Sequence, residues 1–241
     1  MPDQGLLVWT AGRCCIHTCM YVCTSQEAGG STATVSAGGR PSTQAERRAR
    51  TRAALLESAA RGLSRFGYGN LVLEAVASEA GYTRGALYHQ FADKEDLASA
   101  VLDWVDETWG REVGRLVDQE PDPVAALIAL ARGHAVFCRR DVARVAIALR
   151  LEFSGQDHPV GRRLERISES LVKRCTSLIG SGRRMGTIPA GPPARTVALA
   201  FIGAIEGAVI ELAGHPRHDE ALAARAAAGV LGIDPDRLAA A

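Results

Sequence analysis

Residues 81–97, GYTRGALYHQFADKEDL, decide the fold. They place Thr83, Arg84, Tyr88, His89 and Lys94 on one short helix and the start of the next, in a chain with only two lysines. So dense a group of hydrogen-bond donors needs an acceptor. Upstream the stretch continues as LEAVASEAGYTRGALYHQF, residues 73–91, with Ala77 and Gly81 four apart. A small residue lets two helices approach closely, and a glycine tolerates the left-handed backbone of a sharp turn. Leu73, Val76 and Leu87 supply apolar positions beneath. The pattern is that of a helix-turn-helix, whose second helix lies in the major groove of DNA with its early residues at base edges. Arg84 then has two donors for a guanine edge, Thr83 one for a base or phosphate, and Gly85 and Ala86 leave the approach open. Tyr88, His89 and Lys94 are candidates for phosphate oxygens, Lys94 helped by the positive end of its helix. The plain alternative for these side chains is a solvated helix face.

Charge points the same way. Residues 40–91 hold eight arginines against four glutamates, whereas residues 101–241 hold 18 basic and 18 acidic groups, so the overall +1 conceals a basic N-terminal segment on a neutral body. Such asymmetry favours a polyanionic partner at one end. Arg47, Arg48, Arg50 and Arg52 are expected to form a phosphate-grasping arm before the first helix.

The segment FGYGNLVLEAVASEAGYTRGALYHQFADKEDL resembles the signature of the TetR (tetracycline-repressor-like) transcriptional regulators. It carries a Phe-Gly pair, an Ala-x3-Gly turn, a threonine opening the recognition helix, Leu-Tyr-x-x-Phe and Lys-Glu-x-Leu. The resemblance spans about residues 47–97 and beyond that rests on helix number and order. It implies a homodimer that binds an inverted-repeat operator and leaves DNA when a small molecule enters the C-terminal domain. One departure stands out: Leu71 and Val72 replace the family's capping hydroxyl, so Asn70 is expected to cap the second helix instead. Tyr82 stands where a smaller aliphatic residue is usual, and is expected to pack partly or to reach DNA.

The rest reads as helix. Leu55, Ala59, Leu63 and Phe66 recur on one face of a first helix that Gly67 stops, and Asp93 caps a fourth with Leu97, Val101, Trp104 and Thr108 inward. Later segments repeat the period, and no segment reads as a strand. The expected fold is all-α with about nine helices. The expected divisions are a disordered extension and linker over 1–45, a helix-turn-helix domain over 46–93, and a helical ligand-binding and dimerisation domain over 94–241.

Within that last part, His134 and Glu152 are polar residues on apolar faces and are candidates for ligand contact, with Trp104, Phe137, Leu149 and Cys175 as apolar lining. Each also fits an ordinary core position. Arg150 borders the same region as a partner for Glu152 or for an acidic ligand. Ala200, Gly203, Gly207 and Gly214 form a small-residue stripe, and Leu222 and Ala226 a matching face, which together predict a subunit interface. Glu206 beside the stripe is expected either at that interface or in the pocket.

Cys14, Cys15, Cys19 and Cys23 with His17 lie within ten residues, but lack the paired Cys-x2-Cys spacing of a zinc site. They read as part of an unstructured extension or of a start placed too far upstream, against a thiol or metal sensor. With Cys138 and Cys175 alone in the body and no run of 18 apolar residues, a cytoplasmic protein without a membrane span is expected. No nucleophile, base and orienting group share an informative spacing, so no catalysis, cofactor or metal is expected. The partners read from the sequence are double-stranded operator DNA, a small-molecule inducer and a second copy of the chain. A repressor is the leading reading. An activator of the same fold and, further off, a helical enzyme are the alternatives.

Overall fold

Thr43 starts the first helix with a reciprocal cap: its hydroxyl accepts from the Glu46 N–H at 3.2 Å, and its own N–H donates to the Glu46 carboxylate at 2.8 Å. The computed structural model describes residues 43–212 and 215–234 of the 241. Helix α1 runs Gln44–Phe66, so Arg47, Arg48, Arg50 and Arg52 sit inside its first turns and not on an arm ahead of it. Once the cap is set, no glycine or proline interrupts the chain before Gly62, and the helix starts one residue ahead of the expected Ala45. Leu55, Ala59 and Leu63 are fully buried, as their spacing predicts. Phe66, the last residue of α1, is 61% exposed, because Gly67 at φ 74° turns the chain away before anything covers it.

The loop back to the second helix is tight. A Cβ at Gly62 would stand 2.6 Å from Leu71 Cδ1, so the glycine lets Leu71 into the core. Helix α2, Leu73–Glu79, starts at Val72 without a side-chain cap. Asn70 does not cap it: its amide donates back to the Phe66 carbonyl at 3.1 Å and finishes α1 instead. Ser58, fully buried, ties α1 to α2 by donating to the Val76 carbonyl at 3.0 Å. Gly81 takes φ 79°, and the Tyr82 N–H closes the turn on the Ala77 carbonyl at 2.9 Å. Tyr82 packs partly buried on the core. Helix α3 is the five-residue Arg84–Tyr88, capped by Thr83, whose hydroxyl accepts from the Ala86 N–H at 3.2 Å.

Asp93 caps α4, Lys94–Trp109, as predicted. A π-helical turn, Gly110–Gly114, joins it to α5, Arg115–Gln119. Then follow α6, Pro123–Phe137; a 3-10 turn, Asp141–Arg144; α7, Val145–Glu152; α8, Pro159–Arg184; α9, Ala194–Glu211; and α10, Asp219–Leu231. Since α4 and α5 run on as one rod, the described residues make nine rods and no strand.

Two apolar clusters hold these rods. The first joins Leu55, Leu63, Leu87 and Phe91 of the N-terminal helices to Leu97 and Val101 of α4, Leu149 of α7 and Leu164 of α8. The second lies between α5, α6, α8, α9 and α10, around Leu127, Cys175, Phe201 and Ala227. No helix among the described residues is long and apolar enough to cross a membrane.

Candidate functional site

Helix α3 presents its donors outward. Arg84 donates to Glu74 of α2 at 2.9 Å and its guanidinium stands 5.4 Å over the Tyr88 ring; Tyr88 and His89 are exposed. The Tyr88 hydroxyl, joined by the Glu74 carboxylate, raises the Arg84 pKa, so the cation is secure. An exposed pair of this kind is easily exchanged for another acceptor. A Cβ at Gly85 would meet only Thr83 Oγ1, at 3.8 Å, so the fold itself makes no demand for a glycine there. A surface whose smallest residue is not needed for packing leaves room for something to come close.

Other predicted donors are already engaged. Lys94 donates to the Gly69 carbonyl at 3.0 Å with its ammonium 4.8 Å over the Tyr68 ring, and Arg52 donates to the Gln90 carbonyl at 3.2 Å over the Phe91 ring. Both tie loops of the N-terminal helices together. Arg47, Arg48 and Arg50 are exposed on the first turns of α1.

A cavity of about 140 Å³ lies among α4, α6, α7, α8 and α9. His134 and Phe137 line it; Trp104, Leu149, Glu152 and Cys175 do not. Trp104 packs on the first core, and the wall position falls to Trp109, one turn and a residue further along α4. Trp109 Nε1 donates to His134 Nδ1 at 3.3 Å, which puts the one N–H of the neutral ring on Nε2, 3.6 Å from Cys138 Sγ. Burial, with Arg150 nearby, pushes the His134 pKa down to about 4, so the ring is uncharged at neutral pH. Leu149 is fully buried in the first core and Cys175 in the second, its thiol pushed up to about 12 by burial.

The polar end of the cavity is built by residues that stand out as single charges in apolar runs, Arg150 in VAIALRL and Glu206 in ALAFIGAIEGAVI. Arg150 Nη1 donates to Glu206 Oε2 at 2.7 Å, and its other amino group donates to Ser168 Oγ at 3.0 Å. Burial raises the Glu206 pKa, and Arg150 offsets this only in part. Glu206 therefore faces the pocket, and Arg150 pairs with it and not with Glu152.

Glu152 has a different place. At the end of α7 its two carboxylate oxygens accept from the backbone N–H groups of Tyr68, at 2.5 Å, and Gly69, at 2.6 Å, in the loop between α1 and α2. Phe153, stacked on His158 with ring centroids 4.5 Å apart, meets the Tyr68 ring edge-on at 5.2 Å. Thus one short helix carries a cavity residue, Arg150, and two positions later a clamp on the N-terminal helices.

On α9, Ala200, Gly203 and Gly207 are exposed, flanked by Leu199 and Ile210, each 51% exposed. Among the described residues a Cβ at Gly203 or Gly207 would meet nothing within 4 Å beyond its own helix. Leu222 on α10 is exposed and Ala226 half-buried; Gly214 lies outside the described residues. Arg195 and Glu169 form a two-bond pair at 2.8 and 2.7 Å that fixes the start of α9 to α8. Among the described residues no group of three His, Cys, Asp or Glu could hold a metal. Cys14, Cys15, Cys19, Cys23 and His17 lie outside them.

The family described as "Bacterial regulatory proteins, tetR family" matches residues 55–101. The HTH-type transcriptional regulator TtgR of Pseudomonas putida is 41% identical over 58 residues, which are 24% of this chain and 28% of that protein. The chain thus matches little more than a quarter of this curated relative's length. Among solved structures, SCO4454, a TetR-family transcriptional regulator from Streptomyces coelicolor, superimposes with a TM-score of 0.64 at 22% identity, covering 76% of this chain and 95% of that one. AibR in complex with isovaleryl coenzyme A and operator DNA does so with a TM-score of 0.61 at 21% identity, over 77% and 98%. Identities this low speak for the fold alone.

Proposed function

We propose that this chain, whose residues 55–101 match the tetR family of bacterial regulatory proteins, is a DNA-binding transcriptional repressor released by a small molecule. On this reading residues 46–93 read DNA, residues 94–241 hold the ligand and the dimer contact, and the protein works in the cytoplasm on an inverted-repeat operator. One observation carries it: α3 is capped at Thr83, open at Gly85, and shows Arg84, Tyr88 and His89 to solvent. Two copies joined through α9 and α10 would set two such helices in successive major grooves, roughly 34–36 Å apart. Ligand in the cavity would favour a dimer whose recognition helices no longer match that spacing. Arg150 and Glu152 on α7 offer a short route from cavity to loop. AibR, held with both a ligand and operator DNA, supports the reading as an instance of the same fold. No catalytic step is assigned.

The test is fluorescence anisotropy of the whole protein on DNA from upstream of its own coding region, against random DNA, across a salt series. Tight binding that loses sequence preference in Arg84→Ala supports the reading. Equal binding to both DNAs, indifferent to Arg84, overturns it. Transcription followed with and without the protein separates repressor from activator.

A further inference from the structure

We propose that the cavity beside Glu206 is a site for a small monocation of about one aromatic ring, an arylalkylammonium, with Glu206 as its counter-ion in the place now held by Arg150. The proposal rests on reading this cavity as the ligand site, and it names the charge and size of what enters. Size comes from the volume: about 140 Å³, close to the roughly 150 Å³ of an apolar cavity that takes up benzene.

Charge comes from which partner of the ion pair is able to leave. The Glu206 side chain is 19% exposed and that of Arg150 41%. The carboxylate is the fixed, desolvated member, whereas the longer guanidinium stem can swing toward water. An anionic ligand would have to strip Arg150 from Glu206 and leave that carboxylate buried without a partner, which is costly. A cationic ligand leaves Glu206 paired and sends Arg150 to solvent. The other charges agree. Asp106 on the wall feels Arg163, but that guanidinium is paired with Asp103, and the Arg174 guanidinium is committed to Asp118 at 2.5 Å and to the Gly114 carbonyl at 2.9 Å. His134, neutral, adds no repulsion, and the rings of Trp109 and Phe137 line the wall, although the Arg140 guanidinium already stands 4.4 Å over Phe137, which leaves Trp109 as the ring for an ammonium.

The probe is benzylamine, compared by calorimetry with benzyl alcohol and benzoate on the whole protein. Benzylamine should bind on the order of tenfold more tightly than the alcohol, the scale of one desolvated charge pair. Glu206→Gln should erase that preference, Glu206→Asp should keep part of it, and Arg150→Met, which removes the competing cation, should tighten benzylamine. Each variant is compared with its own ligand-free melting curve; should Glu206→Gln not fold, the other two variants decide. Benzoate binding most tightly, an alcohol equal to the amine, a preference that survives Glu206→Gln, or no binding by any probe overturns the proposal. Operator affinity measured on the same samples keeps the two readings apart. Amine bound through Glu206 with no sequence preference for DNA upholds the site and overturns the regulator; sequence-specific DNA binding lost in Arg84→Ala with no amine binding does the reverse.

Discussion

Glu152 caps the backbone of Tyr68 from 84 residues away in sequence, accepting its N–H at 2.5 Å while the other carboxylate oxygen takes the N–H of Gly69. A carboxylate on two amides makes stronger bonds than a neutral acceptor would. It also fixes the neighbouring glycine, since a Cβ at Gly67 would stand 2.7 Å from Glu152 Oε2. Glu152→Ala should therefore cost about 1.5–3 kcal/mol in urea unfolding. Hydrogen exchange at the Tyr68 and Gly69 amides should speed up more than at Leu55, deep in the same core.

Arg84→Ala should leave the melting temperature close to wild type, because the side chain lies on the surface. Operator affinity should fall by about tenfold to a hundredfold with sequence preference relaxed, as expected for a base-edge contact. Arg48→Ala should instead weaken binding to all sequences alike and lower the salt slope by about one. Anisotropy on operator and random DNA separates the two behaviours.

His134 makes stability depend on pH. Its folded pKa, about 4, lies below the ordinary 6.5, so the unfolded chain binds the extra proton first. Stability from this group is complete above pH 6.5 and declines as pH falls toward 4, by on the order of 3 kcal/mol. Glu206 and Asp106, raised by burial, slope the other way. The comparison of wild type with His134→Gln isolates the histidine: urea midpoints measured between pH 4 and 7 should show a shallower acid decline in the variant.

Gly207→Arg should prevent dimer formation without unfolding the monomer, since among the described residues a Cβ there would meet nothing within 4 Å beyond its own helix. Sedimentation velocity would then show a single slower species. A dimer that persists would move the interface off α9.

Local rules made α1 to α4 legible: a threonine and an aspartate cap, a left-handed glycine and a four-residue apolar period each act within a few residues. Asn70 went to the wrong helix because a side-chain amide that caps by accepting can equally donate backward, and only the turn at Gly67 decides. Trp104 and Trp109 are harder to tell apart. Both lie on inward stretches of one rod, and the choice depends on how a π-helical turn ends α4, which no short pattern announces. Glu152 left the expected ligand site, and Arg150 paired with Glu206 in place of Glu152, because the partners, Tyr68 and Glu206, stand 84 and 56 positions away. Periodicity indicates that a polar residue sits on an inward face, but not what waits for it there.

The first apolar cluster crosses the border between the N-terminal helices and the rest, with Leu63 and Leu87 on one side and Leu149 and Leu164 on the other. The N-terminal helices are for that reason not a portable module. Grafting residues 43–93 onto a relative's body would carry over half of a core and leave Leu63 and Leu87, buried positions where truncation typically costs about 2–5 kcal/mol, facing strangers. If α3 reads DNA as proposed, new operator preferences are reached more safely by changing its exposed residues one at a time than by exchanging the whole head.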